Sequence, residues 1–172
     1  MIYQANINNF EEIYNIMEEA FPADERRPKQ NQKQLFEKEE YCVYGYFTED
    51  TLVGFAAVWK CDGFAFIEHL AVHKDFRGKG IGKQLTEYVK AKYDEIVLEV
   101  EPPLSEEQQQ RIEFYLKNGF NLNGYYYIQP SLHQGQNEIE LKLMSYPARY
   151  KQHRFDQVVE SLYLQVYGIV ER

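Results

Sequence analysis

A short glycine-rich segment between a predicted strand and a predicted helix contains residue types that bind anions. In this glycine segment, three glycines at every second position are interspersed with one arginine, two lysines and one isoleucine: Arg77, Gly78, Lys79, Gly80, Ile81, Gly82 and Lys83. Glycine lets the main chain approach a phosphate closely, because it has no Cβ. The first N–H groups of a helix have no acceptor inside the helix, and the helix dipole adds partial positive charge there. We therefore predict that this segment binds a phosphate through its main chain.

Two common phosphate-binding motifs do not match the glycine segment. A P-loop has a glycine, four other residues and then Gly-Lys-Ser/Thr. Arg77 stands where its first glycine belongs, and Gln84 stands where its hydroxyl residue belongs. A dinucleotide-binding motif has the form G-x-G-x-x-G, and Lys83 stands at its third glycine. These mismatches count against a nucleotide-binding protein. They leave the spacing R-G-x-G-x-G, for which a plain turn with solvated lysines is the alternative interpretation.

The remaining spacing resembles the acetyl-CoA pyrophosphate loop of the GNAT superfamily of N-acetyltransferases, whose usual form is Q/R-x-x-G-x-G/A. Arg77, Gly80 and Gly82 match that form residue by residue. A predicted strand ending in LAV precedes the segment and an amphipathic helix follows it, as in that family. The resemblance implies that residues 77–83 bind acetyl-CoA as a co-substrate.

Glu68 is the candidate general base. The strand predicted from Phe64 to Val72 should alternate its faces with a period of two residues. On that basis the carboxylate shares a face with four apolar side chains: Phe64, Phe66, Leu70 and Val72. Poor solvation raises the pKa of a carboxyl group, so we expect Glu68 to titrate above the ~4.3 of a free glutamate. GNAT enzymes often place a glutamate on this strand, which supports Glu68. The alternative is a glutamate that faces water at a bulge or an edge.

Tyr115 is the candidate general acid. It lies in FYLKNGF, which resembles the family signature F-Y-x-x-x-G-F, where the tyrosine hydroxyl reaches the sulfur of CoA. A phenol, with a pKa of ~10, can donate a proton to the leaving thiolate. The alternative is a tyrosine of the core, because Ile112 and Leu116 belong to the same helical stripe.

Three further residues complete the predicted site. The resemblance implies that the strand before the glycine segment separates from its neighbour, so that main-chain groups of Leu70 and Val72 face the cofactor. Such groups would also stabilise the oxyanion of the reacting carbonyl. Glu101 ends the neighbouring predicted strand. It could bind the substrate ammonium, or it could be solvated at a strand end.

Composition and charge restrict the class of partner. The chain has 172 residues, 44% of them hydrophobic and 27% charged, which is typical of a soluble globular protein with a single core. The net charge of −8 counts against binding of nucleic acid, which requires a basic face, and against an anionic membrane surface. An acidic protein suits a cationic substrate such as an amine, although a solvated acidic surface explains the same excess.

Cysteines, histidines and apolar runs give no sign of a metal site or a membrane segment. Cys42 and Cys61 do not form a C-x-x-C motif, and no third ligand accompanies His69 and His73. The N-terminus lacks a signal-peptide pattern, and no apolar run approaches the ~18 residues of a membrane-spanning helix. We therefore predict a cytoplasmic protein without a metal.

Local signals predict the ends of several elements. Asn8 or Asn9 is predicted to cap the first helix. Ser105 and Gln108 resemble a capping box at the start of a later helix, which Asn118-Gly119 is predicted to end. One strand is predicted near Phe120 to Gln129.

The predicted order of elements is β-α-α-β-β-β-α-β-α-β-β over residues 1–146. That is the order of the GNAT acyl-CoA N-acyltransferase fold, an α/β (α+β) fold with a mixed, mostly antiparallel sheet flanked by helices. Residues 147–172 are predicted to form an amphipathic helical appendage beyond Pro147. Its apolar stripe requires a partner surface. We favour docking on the same chain, and a homodimer is the alternative.

The sequence thus predicts an acetyl-CoA-dependent N-acetyltransferase that acetylates a primary amine of a small molecule, a peptide or a protein by direct transfer. The alternative is a non-catalytic acyl-CoA-binding sensor or partner module. Glu68 and Tyr115 favour the enzyme, since binding alone requires neither residue.

Overall fold

The computed structural model describes residues 1–132, 135 and 137–169. The chain forms two compact units. The first unit contains Met1–Lys60 and Ile67–Lys92, and the second contains Cys61–Phe66 and the described residues from Tyr93 onward. The last three residues of the predicted appendage lie outside the described residues, and the predicted boundary at residue 146 stays a prediction.

Eight strands and five α-helices occur in the described part of the chain. The strands are β1 Ile2–Gln4, β2 Tyr41–Thr48, β3 Thr51–Cys61, β4 Phe64–Val72, β5 Ile96–Val100, β6 Asn121–Leu122, β7 Tyr127–Gln129 and β8 Ile139–Tyr146. The helices are α1 Phe10–Ala20, α2 Lys29–Gln34, α3 Ile81–Lys92, α4 Glu106–Lys117 and α5 Gln152–Ser161. The predicted mostly antiparallel sheet flanked by helices is confirmed.

Strands β1, β2, β3 and β4 are neighbours in that order, and most of their residues belong to the first unit. Strand β2 pairs antiparallel with both β1 and β3. The β2–β3 hairpin closes through Glu49 and Asp50, which have φ of 49° and 67°, as the favoured two-residue hairpin turn requires. Val53 of β3 packs with Ile81 and Leu85 of α3 in a buried apolar cluster, and this packing places the N-terminal end of α3 against the sheet.

Helix α1 follows a 3-10 turn, Ile7–Asn9, that the sequence analysis did not predict. Asn6 caps this turn, since its side chain accepts the N–H of Asn8 at 2.9 Å. Asn9 precedes α1, as predicted, but makes no side-chain cap bond to that helix. The extra turn moves the capping side chain upstream, because the orphan N–H groups now belong to the turn.

In the second unit, β8 pairs antiparallel with β5, β6 and β7. The prediction of one continuous strand from Phe120 to Gln129 is wrong, because β6 and β7 are separate. Asn123 lies between them, and its buried side chain donates to the Leu143 carbonyl at 3.1 Å and to Ser145 Oγ at 2.9 Å. These side-chain bonds replace a regular strand at this position.

Helix α4 begins and ends as predicted. Ser105 and Gln108 form a capping box at its start. Gly119 follows its last turn with φ of 91°, a conformation that suits glycine. These two signals fix the position of Tyr115 on the helix.

Helix α5 docks on its own chain, as we favoured. The buried side chains of α5 and of the π-type turn after it are Phe155, Val158, Leu162, Tyr163 and Val166. Arg154 forms an ion pair with Glu95, and the Tyr167 hydroxyl lies 2.8 and 2.9 Å from the two carboxylate oxygens of Glu99. A homodimer stays untested. None of the helices in the described residues is both long enough and apolar enough to cross a bilayer.

Candidate active site

The glycine segment connects β4 to α3 through a 3-10 turn, Lys74–Phe76. Gly78 and Gly80 have φ of 77° and 80°, a region that other L-residues rarely adopt. A Cβ added at either position would meet no atom within 4 Å. Backbone conformation, not crowding, therefore demands glycine here, and the space above both residues is open.

Helix α3 presents its first N–H groups at this open space. The Gly80 carbonyl accepts the Gln84 N–H at 3.1 Å, which is the first bond of the helix. The N–H groups of Ile81, Gly82 and Lys83 therefore have no acceptor inside the helix. With the helix dipole they form a site suited to a phosphate.

Arg77 joins the glycine segment to the end of β4. Its Nε donates to the Val72 carbonyl at 3.0 Å, and its side chain is exposed. Leu70 and Val72 are half-buried and pack against the apolar cluster of β3 and α3. The segment, Leu70 and Val72 all belong to the first unit, so the structure brings together the residues predicted to bind the cofactor.

Glu68 lies in a buried polar cluster that also contains Arg27, Trp59 and His69, named here the Glu68 cluster. The Glu68 side chain is 3% exposed. Its Oε1 accepts from Arg27 Nη1 at 2.7 Å and from Trp59 Nε1 at 3.1 Å. Its Oε2 has no hydrogen-bond partner among the described residues.

The expected direction of the Glu68 pKa is wrong. Burial by itself raises the pKa of this carboxyl, but the charge of Arg27, the neighbouring His69 and two hydrogen bonds together lower it below its usual value. We had considered only the neighbours of Glu68 on the strand, whereas the charge that lowers its pKa belongs to Arg27, in a loop distant in sequence. Glu68 is therefore an ionised, hydrogen-bonded carboxylate at neutral pH.

Glu68 and His69, which are adjacent on β4, both contact the segment after α1. Glu68 binds Arg27, and the Nε2 of His69 lies 2.9 Å from the Glu25 carbonyl. His69 Nδ1 is 3.9 Å from Glu68 Oε1. The segment after α1 therefore supplies a partner to each of two consecutive strand residues.

Arg27 was not predicted from the sequence, and His69 was considered only as a possible metal ligand. His69 is buried, and its ring contacts Phe21 at 4.7 Å between centroids. Burial lowers its pKa, and the Glu68 charge opposes that shift only in part. No sequence pattern indicated that Arg27 belongs to the site, since it lies in a polar stretch without periodicity. For His69, its position directly after Glu68 was the one pattern that could have indicated a role in the site.

Tyr115 is buried on α4 in the second unit, 8% exposed. Its ring contacts Phe114 and Phe120 at centroid distances of 5.1 and 5.6 Å. Burial raises the pKa of its phenol to about 12, with a small opposing effect of Arg111. The phenol is therefore protonated at neutral pH, as a general acid requires, and it also packs as a core residue. Its catalytic role stays a prediction.

Glu101 has partners of its own on α4. Gln108 Nε2 donates to its Oε2 at 2.7 Å, and Arg111 Nη1 lies 3.6 Å from its Oε1. The side chain is one-third exposed. A substrate ammonium would have to compete with these contacts, and binding by Glu101 stays a prediction.

Several known proteins similar to this chain are acetyltransferases by family or by name. The profile of the acetyltransferase (GNAT) family matches residues 10–120, which include the glycine segment, Glu68 and Tyr115. The Bacillus subtilis (strain 168) protein YjbC, an acetyltransferase assigned by inference, is 30% identical over 109 residues. That match covers 62% of this chain and 55% of YjbC, so the chain spans about half the length of this curated relative.

Two solved structures extend the comparison to the whole fold. A GNAT-family protein of Bacteroides thetaiotaomicron, assigned by inference, has a TM-score of 0.89 and 26% identity, and the match covers 98% of this chain and 99% of that one. An aminoglycoside 6′-N-acetyltransferase complexed with coenzyme A has a TM-score of 0.65 and 18% identity, covering 84% and 95% of the two chains. The second likeness shows the fold alone. No group of three or more His, Cys, Asp or Glu side chains in the described residues could hold a metal ion.

Proposed function

Because the chain belongs to the acetyltransferase (GNAT) family, we propose that it transfers the acetyl group of acetyl-CoA to a primary amine of a small molecule, peptide or protein. The observation that supports this most directly is the start of α3. Two glycines with positive φ and open space beside them directly precede the helix, whose first N–H groups have no acceptor inside it. A non-catalytic acyl-CoA-binding module is the alternative.

Residues of the first unit fit the cofactor. The N–H groups of Ile81, Gly82 and Lys83 suit a pyrophosphate. Lys79 and Arg77 add exposed positive charge beside them. Main-chain groups of Leu70 and Val72 are proposed to contact the arm that ends in the thioester. When bound, acetyl-CoA supplies the activated acetyl group.

Two side chains are proposed to act in the chemistry. Glu68 is proposed as a catalytic carboxylate that attracts the acceptor ammonium, since it is ionised and its Oε2 has no protein partner among the described residues. Tyr115 is proposed to protonate the leaving thiolate, because its raised pKa keeps it protonated at neutral pH. Proton donation by Tyr115 is general acid catalysis.

Cofactor binding is tested by Gly80→Asp. The new carboxylate would lie where phosphate is proposed to bind, and like-charge contact costs several kcal/mol, so we expect acetyl-CoA affinity to fall by about 100-fold or more. Gly135→Asp is the matched control, because Gly135 also has a positive φ, 85°, and no atom within 4 Å of an added Cβ. Calorimetry with acetyl-CoA measures both. Unchanged affinity in folded Gly80→Asp would contradict the proposed binding site.

Catalysis is tested by release of the CoA thiol from acetyl-CoA in the presence of amines, polyamines, amino acids and peptides. Turnover with at least one amine is expected. Tight acetyl-CoA binding without turnover on any member of the panel would favour the non-catalytic module.

A further inference from the structure

The Glu68 cluster contains a buried histidine that the proposed chemistry has not yet used. The side chains of Glu68 and His69 are each 3% exposed, and His69 Nδ1, like Glu68 Oε2, has no hydrogen-bond partner among the described residues. Buried polar atoms are nearly always satisfied in native proteins, and an exception requires an explanation such as a catalytic role or an ordered water.

The hydrogen bonds of His69 determine its tautomer. Its Nε2 lies 2.9 Å from the Glu25 carbonyl oxygen, and a carbonyl only accepts. The proton of the neutral ring is therefore on Nε2, which donates to Glu25. This leaves a lone pair on Nδ1, and Nδ1 is the atom 3.9 Å from Glu68 Oε1. Two acceptors thus face each other, an arrangement that a proton on Nδ1 would convert into an ion pair.

The other groups around His69 keep Glu68 ionised. Arg27 Nη1 and Trp59 Nε1 both donate to Glu68 Oε1. Tyr41 of β2 is buried beside them, and the charges of Glu68 and Arg27 both act on its pKa. Tyr41 accepts from Gln32 Nε2 at 2.8 Å. Three groups of these elements act on the pKa of His69 besides burial: the charge of Glu68 and the hydrogen bond to the Glu25 carbonyl favour an imidazolium, and the charge of Arg27 opposes it.

We propose that His69 holds the proton that leaves the acceptor ammonium, and that the Arg27–Glu68 ion pair positions and stabilises the resulting imidazolium. This inference rests on the proposed acetyl transfer. One N–H bond of the ammonium breaks, a bridging water passes a proton to Nδ1, and an Nδ1–H bond forms. The freed amine lone pair attacks the thioester carbonyl and forms a C–N bond. As the tetrahedral intermediate collapses, the C–S bond breaks and the thiolate takes its proton from Tyr115. The nitrogen then loses its second proton, which restores the Tyr115 phenol by way of solvent. His69 later returns its proton to solvent.

His69 is a suitable proton acceptor because its Nδ1 carries a lone pair, whereas Arg27 and Trp59 both donate to Glu68 and so favour its ionised form. The pKa of Glu68 is lowered away from neutrality by Arg27 despite burial. The pKa of His69 is lowered mainly by burial from 6.5, so the ring is neutral and able to accept at pH 7.

The first test is nitrogen-15 NMR of the histidines across pH, with His69→Gln to assign the signal. The expected result is a neutral ring protonated on Nε2 at pH 8, with a pKa below 6.5. In Glu68→Gln that pKa should fall further, because the carboxylate raises it. A ring protonated on Nδ1, or a pKa unchanged in folded Glu68→Gln, would overturn the inference without affecting the proposed function.

The second test is the pH dependence of kcat/KM in His69→Gln, which does not require Glu68→Gln to fold. Glutamine can still donate to the Glu25 carbonyl but cannot titrate. We expect an unchanged affinity for acetyl-CoA, a rate at pH 7 lower by about 10²–10⁴-fold, and loss of the acidic limb. His153→Gln, an exposed histidine of α5, is the matched control and should keep both rate and limb. A His69→Gln variant that keeps both would return the base role to Glu68.

Discussion

The glycine segment and the Glu68 cluster belong to the same unit but differ in the groups that they use. The first offers main-chain N–H groups to an anion, and the second pairs charged side chains with one another. The glycine segment uses exposed main-chain N–H groups, and only glycine fits its positive φ angles. The Glu68 cluster uses buried side chains contributed by separate stretches of chain, β3, β4 and the loop before α2. A main-chain site tolerates changes of neighbouring side chains, whereas a side-chain site depends on every member. The first kind of site is visible in a sequence, and the second is not.

The largest effect on turnover is expected at Tyr115, which acts through its side chain, as the members of the Glu68 cluster do. Tyr115→Phe keeps the ring contacts with Phe114 and Phe120 and removes only the hydroxyl. Turnover should fall by about 10²–10⁴-fold with acetyl-CoA affinity unchanged, because the hydroxyl acts in the transition state. Steady-state kinetics and calorimetry measure the two quantities. Tyr126→Phe, at a tyrosine that is 69% exposed, is the control. Wild-type turnover in Tyr115→Phe would assign the residue to the core alone.

Arg27→Met tests the dependence of the cluster on one member. It leaves a buried carboxylate without its ion pair, which costs about 3–5 kcal/mol of the free energy of unfolding. Lys29→Met is the control, since the Lys29–Glu11 pair has a similar distance, 2.8 Å, but is more than half exposed. Such exposed pairs contribute little to stability, because water and salt screen them. Urea denaturation measures the free energy of unfolding of both variants. Equal losses would show that the buried cluster depends on Arg27 no more than the surface depends on Lys29.

The dependence of stability on pH tests the direction of the Glu68 pKa. Because the folded state lowers this pKa below 4.5, the carboxylate contributes stability that is present above the unfolded pKa. That stability is lost as the pH falls through the folded value. Below about pH 4.5 the wild type should therefore lose stability more steeply than Glu68→Gln. A steeper loss in Glu68→Gln would show that the folded pKa is raised, as first expected.

The smallest effect is expected from Lys79→Ala in the glycine segment. Lys79 is exposed, with its Nζ 5.1 Å from the centre of the Phe76 ring. Exposed charges contribute about 0.2–1 kcal/mol, so acetyl-CoA affinity should fall by no more than about 5-fold. Calorimetry at two salt concentrations measures this. A loss as large as that of Gly80→Asp would mean that the site depends on side chains after all.

Local signals predicted much of the fold. The bounds of β4 are as predicted. The glycine segment and the capping box of α4 were also predictable, because their conformations depend on residues that are close in sequence. The family resemblance supplied the order of elements and the cofactor loop. The break between β6 and β7 was missed, because the bonds of Asn123 go to residues twenty or more positions away.

The side-chain site was predictable only in part. Glu68 was identified as a candidate, but its partner Arg27 lies 41 residues earlier. No periodicity connects the two. Long-range pairing, not local propensity, therefore decides the electrostatics of this site.

The contacts of the C-terminal appendage have a consequence for related sequences. Arg154 forms an ion pair with Glu95, just before β5, and the Tyr167 hydroxyl binds Glu99 of β5. A chain that ended near Pro147 would leave Glu95 without this ion pair, at a cost that selection would remove, whereas Glu99 would keep its bonds to Tyr127 and Gln129. Relatives without the appendage should therefore carry an uncharged residue at the position of Glu95. An acid there would mark a chain whose own tail covers this end of β5.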